Sequence, residues 1–251
     1  VSNRRTPNSK RRRPSAEIRS SKFGVRTSHF RRVLLKISGD CFGDSKSLKR
    51  VADQLVAAHR EGTRLAVVMG GGNILRGRDT RDMDQAAADK AGMLATVING
   101  LKLTELLGTR ARVRHFSAIG VPGTAAGYDI WQAREALKEG RILVLSGGTG
   151  NPFFSTDSAA ALRAAELGMD ALLKGTRVAG VFSADPEKNP RAKFYPKLTY
   201  QQALVEHLAV MDLTAFALCM EREIPIVVFD ITRPRAILDI IKGKRIGSLV
   251  C

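Results

Sequence analysis

Three glycine clusters each close an apolar, β-rich run. Lys36-Ile37-Ser38-Gly39-Asp40 ends the run over 33–37, Gly70-Gly71-Gly72-Asn73 follows 65–69, and Ser146-Gly147-Gly148-Thr149-Gly150-Asn151 follows 142–145. A strand that stops on consecutive glycines leaves backbone N–H groups that no side chain shields, which suits either an anion or a tight turn into a helix. One such cluster leaves the two readings level. Three of them point to a polyphosphate site, because ligands of open α/β sheets gather beyond the carboxyl ends of the strands.

The rest of the pattern agrees with such a sheet. Short apolar runs at 33–37, 65–69, 113–116, 142–145, 171–173 and 226–229 read as strands. They alternate with helical patterns near 47–61, 86–107, 128–139, 157–167, 199–206, 212–222 and 235–242, as strand-helix-strand units require. In the long second helix Leu94, Ile98 and Leu101 fall at i, i+4 and i+7 and are expected to form one buried stripe. The stretch from Gly175 to Pro196 reads as a long excursion off the sheet, and loops of that length are usually functional.

Charge distribution disfavours a nucleic acid as partner, except through the N-terminal arm. The net charge is +17, but residues 1–32 hold eleven Lys or Arg against Glu17 alone, a net of +10 that leaves +7 for the rest. Residues 1–30, rich in Arg, Ser, Asn and Pro, are expected to be a disordered basic arm. Residues 31–251 are expected to be one domain, with no apolar run long enough for a bilayer. Cys41, Cys219 and Cys251 form no C-x-x-C pair, so neither a disulfide framework nor a zinc site is indicated.

The chain has no G-x-x-x-x-G-K-[ST], and Gly70 to Asn73 does not continue as G-x-G-x-x-G, which disfavours P-loop and dinucleotide folds. Lys36 lies within its own strand pattern, where an ammonium needs a strong partner; a phosphate contact is favoured over a lysine that snorkels to the surface. Arg76, four residues after Gly72, can offer a bidentate fork to the same anion.

The run Gly148-Thr149-Gly150-Asn151-Pro152-Phe153-Phe154-Ser155-Thr156-Asp157-Ser158-Ala159-Ala160 resembles the acceptor-binding segment of bacterial uridylate kinases, members of the amino acid kinase family. The resemblance extends in order through 34–39, 70–73, Gly92-Met93-Leu94-Ala95-Thr96-Val97-Ile98-Asn99-Gly100, Gly180 to Pro186 and Val210-Met211-Asp212-Leu213, and spans essentially residues 31 to 250. It implies a three-layer αβα sandwich around a mostly parallel sheet, with the acceptor part at about 31–170 and the ATP part at about 171–251. The implied reaction moves the γ-phosphate of ATP onto UMP, with Mg²⁺ carried by the nucleotide phosphates, in a cytoplasmic homohexamer.

By the same resemblance Lys36, Ile37, Ser38, Gly39, Gly72 and Arg76 would face the ATP phosphates, with Thr176, Phe182 and Asp185 bordering adenine and ribose. Gly71, Asp89, Thr149, Gly150, Asn151, Pro152, Phe153, Phe154, Ser155 and Thr156 would hold UMP. Lys36, Lys174, Arg76 and Asp157 would be the catalytic set, with Asp157 organising the lysines and Asp212 a further acid nearby. Read locally, Thr156 is an N-cap and Asp157 a first-turn acid of the helix that follows, while Phe153 and Phe154 read as core packing ahead of a wall of the acceptor site. Between Asp40 and Ser47 the chain is shorter than many relatives, which carry there a Gly-rich loop implicated in GTP activation. The rival readings are a kinase of another small acceptor, such as acetylglutamate, and a non-catalytic nucleotide- or anion-binding protein.

Overall fold

Apolar side chains point both ways along the first strand: Val33, Leu35 and Ile37 enter one core and Leu34 the other, which commits the sheet to helices on both faces. The computed structural model describes residues 30–75 and 82–251. The arm expected over 1–30 lies outside them except for Phe30, whose N–H donates to Ile241 O at 3.1 Å and whose ring packs against the core.

In chain order the strands are β1 (Arg32–Ile37), β2 (Arg64–Met69), β3 (Val113–Ser117), β4 (Ala126–Gly127), β5 (Ile142–Ser146), β6 (Ala171–Thr176), β7 (Val181–Phe182), β8 (Phe194–Tyr195), β9 (Lys197–Leu198), β10 (Ile226–Asp230) and β11 (Ser248–Val250). Nine of them form one sheet in the order β4-β3-β5-β2-β1-β6-β10-β11-β9, parallel except where β11 pairs antiparallel with β10. The helices are α1 (Ser45–Arg60), α2 (Gln85–Gly108), α3 (Ile130–Lys138), α4 (Thr156–Glu166), α5 (Tyr200–Val205), α6 (Leu213–Glu221) and α7 (Ala236–Ile241). Leu55, Leu103 and Ile237, from α1, α2 and α7, fill the core on one face. Ala136, Ala160, Ala203 and Phe216, from α3 to α6, fill the other, giving the expected three layers.

The sheet divides cleanly by sequence. All strands before residue 150 lie on one side, all later ones on the other, and the halves meet where β1 pairs with β6. At the amino end of that seam Asp170 ties them, accepting the N–H groups of Arg31 and Arg32 at 2.9 and 2.8 Å and the Arg32 guanidinium at 2.7 Å. The excursion from Gly175 folds back as the β7–β8 hairpin, outside the main sheet. Among the described residues no helix is long and apolar enough to cross a membrane.

The expected buried stripe on α2 is turned outward: Leu94, Ile98 and Leu101 are 50%, 46% and 41% exposed. The helix buries Ala95, Thr96, Asn99 and Gly100 instead. Close approach explains the choice, since a Cβ on Gly71 would stand 2.7 Å from Gly92 O, and one on Gly100 would stand 2.5 Å from His115 Nε2. A side chain at Gly71 or Gly100 would push the helix off the strand ends.

Candidate active site

Lys36 on β1 and Lys174 on β6 are Cα partners across the seam, so their side chains leave the sheet side by side. Asp157, in the first turn of α4, lies between them: Oδ1 is 2.8 Å from Lys36 Nζ and Oδ2 is 2.7 Å from Lys174 Nζ. Lys174 also donates to Val210 O at 2.7 Å. Burial by itself would raise the Asp157 carboxyl, but the Lys36 and Lys174 ammonium groups outweigh it and hold the group below the usual carboxylate range. The outcome is two cations around one ionised acid, with a net positive charge at the carboxyl ends of the two central strands.

The helix carrying Asp157 is capped by Ser155, not Thr156. Ser155 Oγ accepts from the N–H groups of Asp157 and Ser158 at 2.9 and 3.1 Å, leaving Thr156 as the first helical residue. Ser155 Oγ in turn donates to Asp212, which also accepts from Ser158 Oγ at 3.0 Å and caps α6 through the Ala215 N–H at 3.0 Å. Asp212 thus fixes the start of α6 against the start of α4, and with it the height of Asp157.

The glycine loops after β1 and β2 interlock. A Cβ on Gly39 would fall 2.7 Å from the Gly72 nitrogen, and one on Gly70 would fall 2.9 Å from the Gly39 nitrogen. Ser38 caps a 3-10 turn over Gly39–Phe42 that leads into α1 at Ser45, so the connection is short as read. Asn99, fully buried in α2, supports the second loop by donating to Gly70 O at 2.8 Å and Asn73 Oδ1 at 2.7 Å. Arg76 lies outside the described residues.

The third loop is held by α2 from outside. Thr96 Oγ1 accepts the Gly147 N–H at 2.8 Å, Lys90 Nζ donates to Gly150 O at 2.8 Å, and Asp89 Oδ2 accepts the Phe153 N–H at 2.6 Å. Thr149 Oγ1 closes a local turn by accepting from the Asn151 N–H at 3.1 Å. Phe153 has φ of 69°, a left-handed conformation that costs a bulky residue about 1–3 kcal/mol and clusters at ligand sites. Neither phenylalanine is core: Phe153 is 73% exposed and Phe154 49%, because the turn aims both rings out of the loop. Asp89 therefore stands against the 149–156 loop, while Gly71 packs on the same helix at Gly92 and Ala95.

On the β6 side, Thr176 ends the strand and donates to Val178 O at 2.8 Å and Phe229 O at 3.2 Å. Phe182 stacks on Phe194 with ring centroids 5.2 Å apart in the β7–β8 hairpin, which Ser248 anchors through the Val181 N–H at 2.8 Å. Asp185 organises its own turn, accepting the Glu187 N–H at 3.0 Å. Thr176 thus stands two residues beyond Lys174 on β6, while Phe182 and Asp185 belong to the excursion outside the main sheet.

Lys90, Thr96 and Asn99 were not singled out as functional in the sequence. Their signal was present in Asn99 and Thr96, polar residues inside an otherwise apolar helical run. Lys90 carries no comparable signal.

Comparison with known proteins supplies what geometry leaves open. The model of the amino acid kinase family matches residues 31–230. A uridylate kinase of Methylococcus capsulatus is 44% identical over 231 residues, covering 88% of this chain and 97% of the relative. A uridylate kinase of Paramagnetospirillum magneticum is 46% identical over 233 residues, covering 88% and 96%. Among solved structures, a UMP kinase from Ureaplasma parvum superposes with a TM-score of 0.83 at 36% identity, covering 88% of this chain and 98% of its own. One from Bacillus anthracis gives 0.86 at 33%, covering 88% and 96%.

Proposed function

We propose that this chain, which belongs to the amino acid kinase family, transfers the γ-phosphate of ATP to UMP, giving UDP and ADP for pyrimidine nucleotide synthesis. The observation that carries the chemistry is the bridge of Asp157 between Lys36 and Lys174 at the carboxyl ends of β1 and β6, where the glycine loops after β1 and β2 interlock. The identity of the acceptor rests on the uridylate kinase relatives.

Phosphoryl transfer through a loose transition state asks for alignment and charge neutralisation. The acceptor phosphate needs no general base, because its second pKa of about 6 leaves it largely ionised at neutral pH. Lys36 and Lys174 would meet the transferring group, and Asp157 would keep two like charges adjacent before substrate arrives. Gly39, Gly72 and Arg76 would cradle the ATP phosphates, with Ile37 and Ser38 lining their approach. Thr176, Phe182 and Asp185 would border the adenosine. Gly71, Asp89 and the loop 149–156 would hold UMP, its exposed Phe153 and Phe154 offering apolar walls.

Both Asp157 oxygens face lysines, and no cluster of three or more His, Cys, Asp or Glu among the described residues forms a metal cage. The residues fit a Mg²⁺ that rides on nucleotide phosphates and water, where it would neutralise charge developing between donor and acceptor. The three free thiols support a reducing, cytoplasmic setting, and the outward apolar stripe of α2 supports assembly, here read as a homohexamer.

The test offers ATP and Mg²⁺ with UMP, CMP, acetylglutamate or aspartate and follows ADP release. UMP is expected to give the highest kcat/KM; a better acceptor among the others overturns the reading.

A further inference from the structure

Where β10 runs out, its backbone still carries polar groups that the sheet does not satisfy. The parallel ladder to β6 ends with the Ile231 N–H, which donates to Thr176 O at 3.0 Å. The carbonyl of the same buried residue, Ile231 O, lies beyond the strand. A few residues on, α7 starts at Ala236 after Arg235, whose side chain makes no cap, so the Ile237 N–H is a first-turn donor without a partner in its own helix. Buried backbone groups of this kind need partners from elsewhere. One side chain supplies both. Gln54, on α1 and only 7% exposed, donates from Nε2 to Ile231 O at 3.1 Å and accepts the Ile237 N–H on Oε1 at 3.1 Å.

The bridge matters because of what Ile231 sits on. A Cβ on Gly175 would stand 3.1 Å from Ile231 Cδ1 and 3.2 Å from its Cβ, so the isoleucine rests on bare backbone between Lys174 and Thr176. Ile231 thus holds the end of β6 by its side chain at Gly175 and by its N–H at Thr176. Gln54 reaches this point from the other half of the chain. Its helix follows the 3-10 turn over Gly39–Phe42, and with it the first glycine loop, whereas Ile231 and Ile237 belong to the half beyond the β1–β6 seam. Asp170 ties the halves at the amino end of the sheet; Gln54 ties them at the carboxyl end, where the lysine pair stands. The neighbours of Gln54 on α1, Val51, Leu55 and Ala58, are buried and apolar, so packing alone gives no reason for an amide there.

We propose that Gln54 is a positioning residue for the donor nucleotide: through Ile231 it sets Gly175 and Thr176 against the first glycine loop, and so aligns the adenosine end of the donor with its phosphates. This role rests on the reading of Lys36 to Gly39 as the phosphate cradle and of Thr176 as the adenosine border. Gln54 itself touches no substrate. A methionine in its place fills similar space but leaves Ile231 O and the Ile237 N–H unpaired, which frees the β10–α7 turn to lift from β6.

The experiment titrates the full chain with β,γ-imido-ATP and Mg²⁺ by calorimetry, which reads the donor site whatever the acceptor, and measures KM for UMP at saturating ATP. Gln54→Met is expected to raise the Kd for the ATP analogue about fivefold while KM for UMP stays within about twofold. Gln54→Asn, which keeps the amide but is too short to reach both partners, is expected to raise Kd about twofold and stands in if Q54M does not fold. Val51→Ala trims another buried side chain of α1 and lowers the urea midpoint, and is expected to leave Kd as in native protein. The proposal is overturned if the Gln54 variants bind the analogue as native protein does, if V51A loses as much, or if KM for UMP rises as far as Kd. Native protein that binds the analogue but phosphorylates no UMP overturns the acceptor assignment alone, and Kd still decides the role of Gln54. Native protein that binds no analogue overturns both.

Discussion

Lys36 and Lys174 leave adjacent strands at the same level, and two like charges at the strand spacing of about 5 Å would repel by about 3 kcal/mol at an effective dielectric near 20. Asp157 offsets that repulsion within the fold, so the cations stand ready before any phosphate arrives. Lys36→Ala and Lys174→Ala are each expected to lower kcat at least ~100-fold, the effect of losing one preorganised charge stabiliser; steady-state rates with saturating ATP and UMP decide this, and a loss under tenfold in both would remove the pair from the mechanism. His115 makes a different residue-scale prediction. It is buried, its Nε2 lies 2.8 Å from Ser146 Oγ, its Nδ1 has no partner, and burial pushes its pKa down to about 4. The folded protein keeps this imidazole neutral where the unfolded chain takes up a proton near 6.5, so acid favours unfolding: the contribution is full above 6.5 and is lost as pH falls towards about 4. Integrated from pH 7 to pH 5 it is about 2 kcal/mol. Urea unfolding of His115→Asn is expected to show that much less pH dependence than the native chain.

At the scale of elements, α2 decides the acceptor loop. Three of its side chains grip the loop backbone at Gly147, Gly150 and Phe153, so the loop's position depends on a helix that precedes it by some fifty residues. Thr96→Val is expected to raise KM for UMP about tenfold, the worth of one buried hydrogen bond, and Lys90→Met, whose bond to Gly150 O is exposed, to raise it by less, while KM for ATP stays within twofold in both. Equal changes in both constants would show general loosening instead. The sequence made the six long strands and all seven helices legible, because apolar runs and turn residues punctuate them strongly. It missed β4, β7, β8, β9 and β11, which have two or three residues each and too little pattern to detect. It also misjudged the α2 stripe, since periodicity identifies an apolar face and does not say whether the molecule's own core covers it. The glycine loops and Lys36 read as phosphate chemistry from the residues themselves and Lys174 only through the family resemblance; the hold of Lys90 on Gly150 was not legible, because a tertiary contact across sixty residues leaves no local trace.

For the whole molecule, the stripe of Leu94, Ile98 and Leu101 is an apolar patch that a monomer would leave in water. Assembly through α2 predicts that Leu94→Glu combined with Ile98→Glu yields smaller species by sedimentation velocity, whereas an unchanged sedimentation coefficient would place the subunit contacts elsewhere. Such an assembly would also bear on the acceptor loop, because the gripping face and the outward face belong to one helix.

The seam between β1 and β6 has a consequence for how the protein is made. Translation delivers β1 first, yet its second neighbour is encoded nearly 140 residues later, and the intervening strands and helices all emerge before it. At about 5–20 residues per second the ribosome needs roughly seven to thirty seconds to cover that gap. Throughout that interval one edge of β1 stays without its ladder partner, and even at its end the nascent chain has Lys36 and Asp157 but not Lys174. A nascent fragment ending before residue 171 therefore keeps an open edge on its central strand, and the pair of lysines about Asp157 cannot form until Ala171–Thr176 has left the exit tunnel.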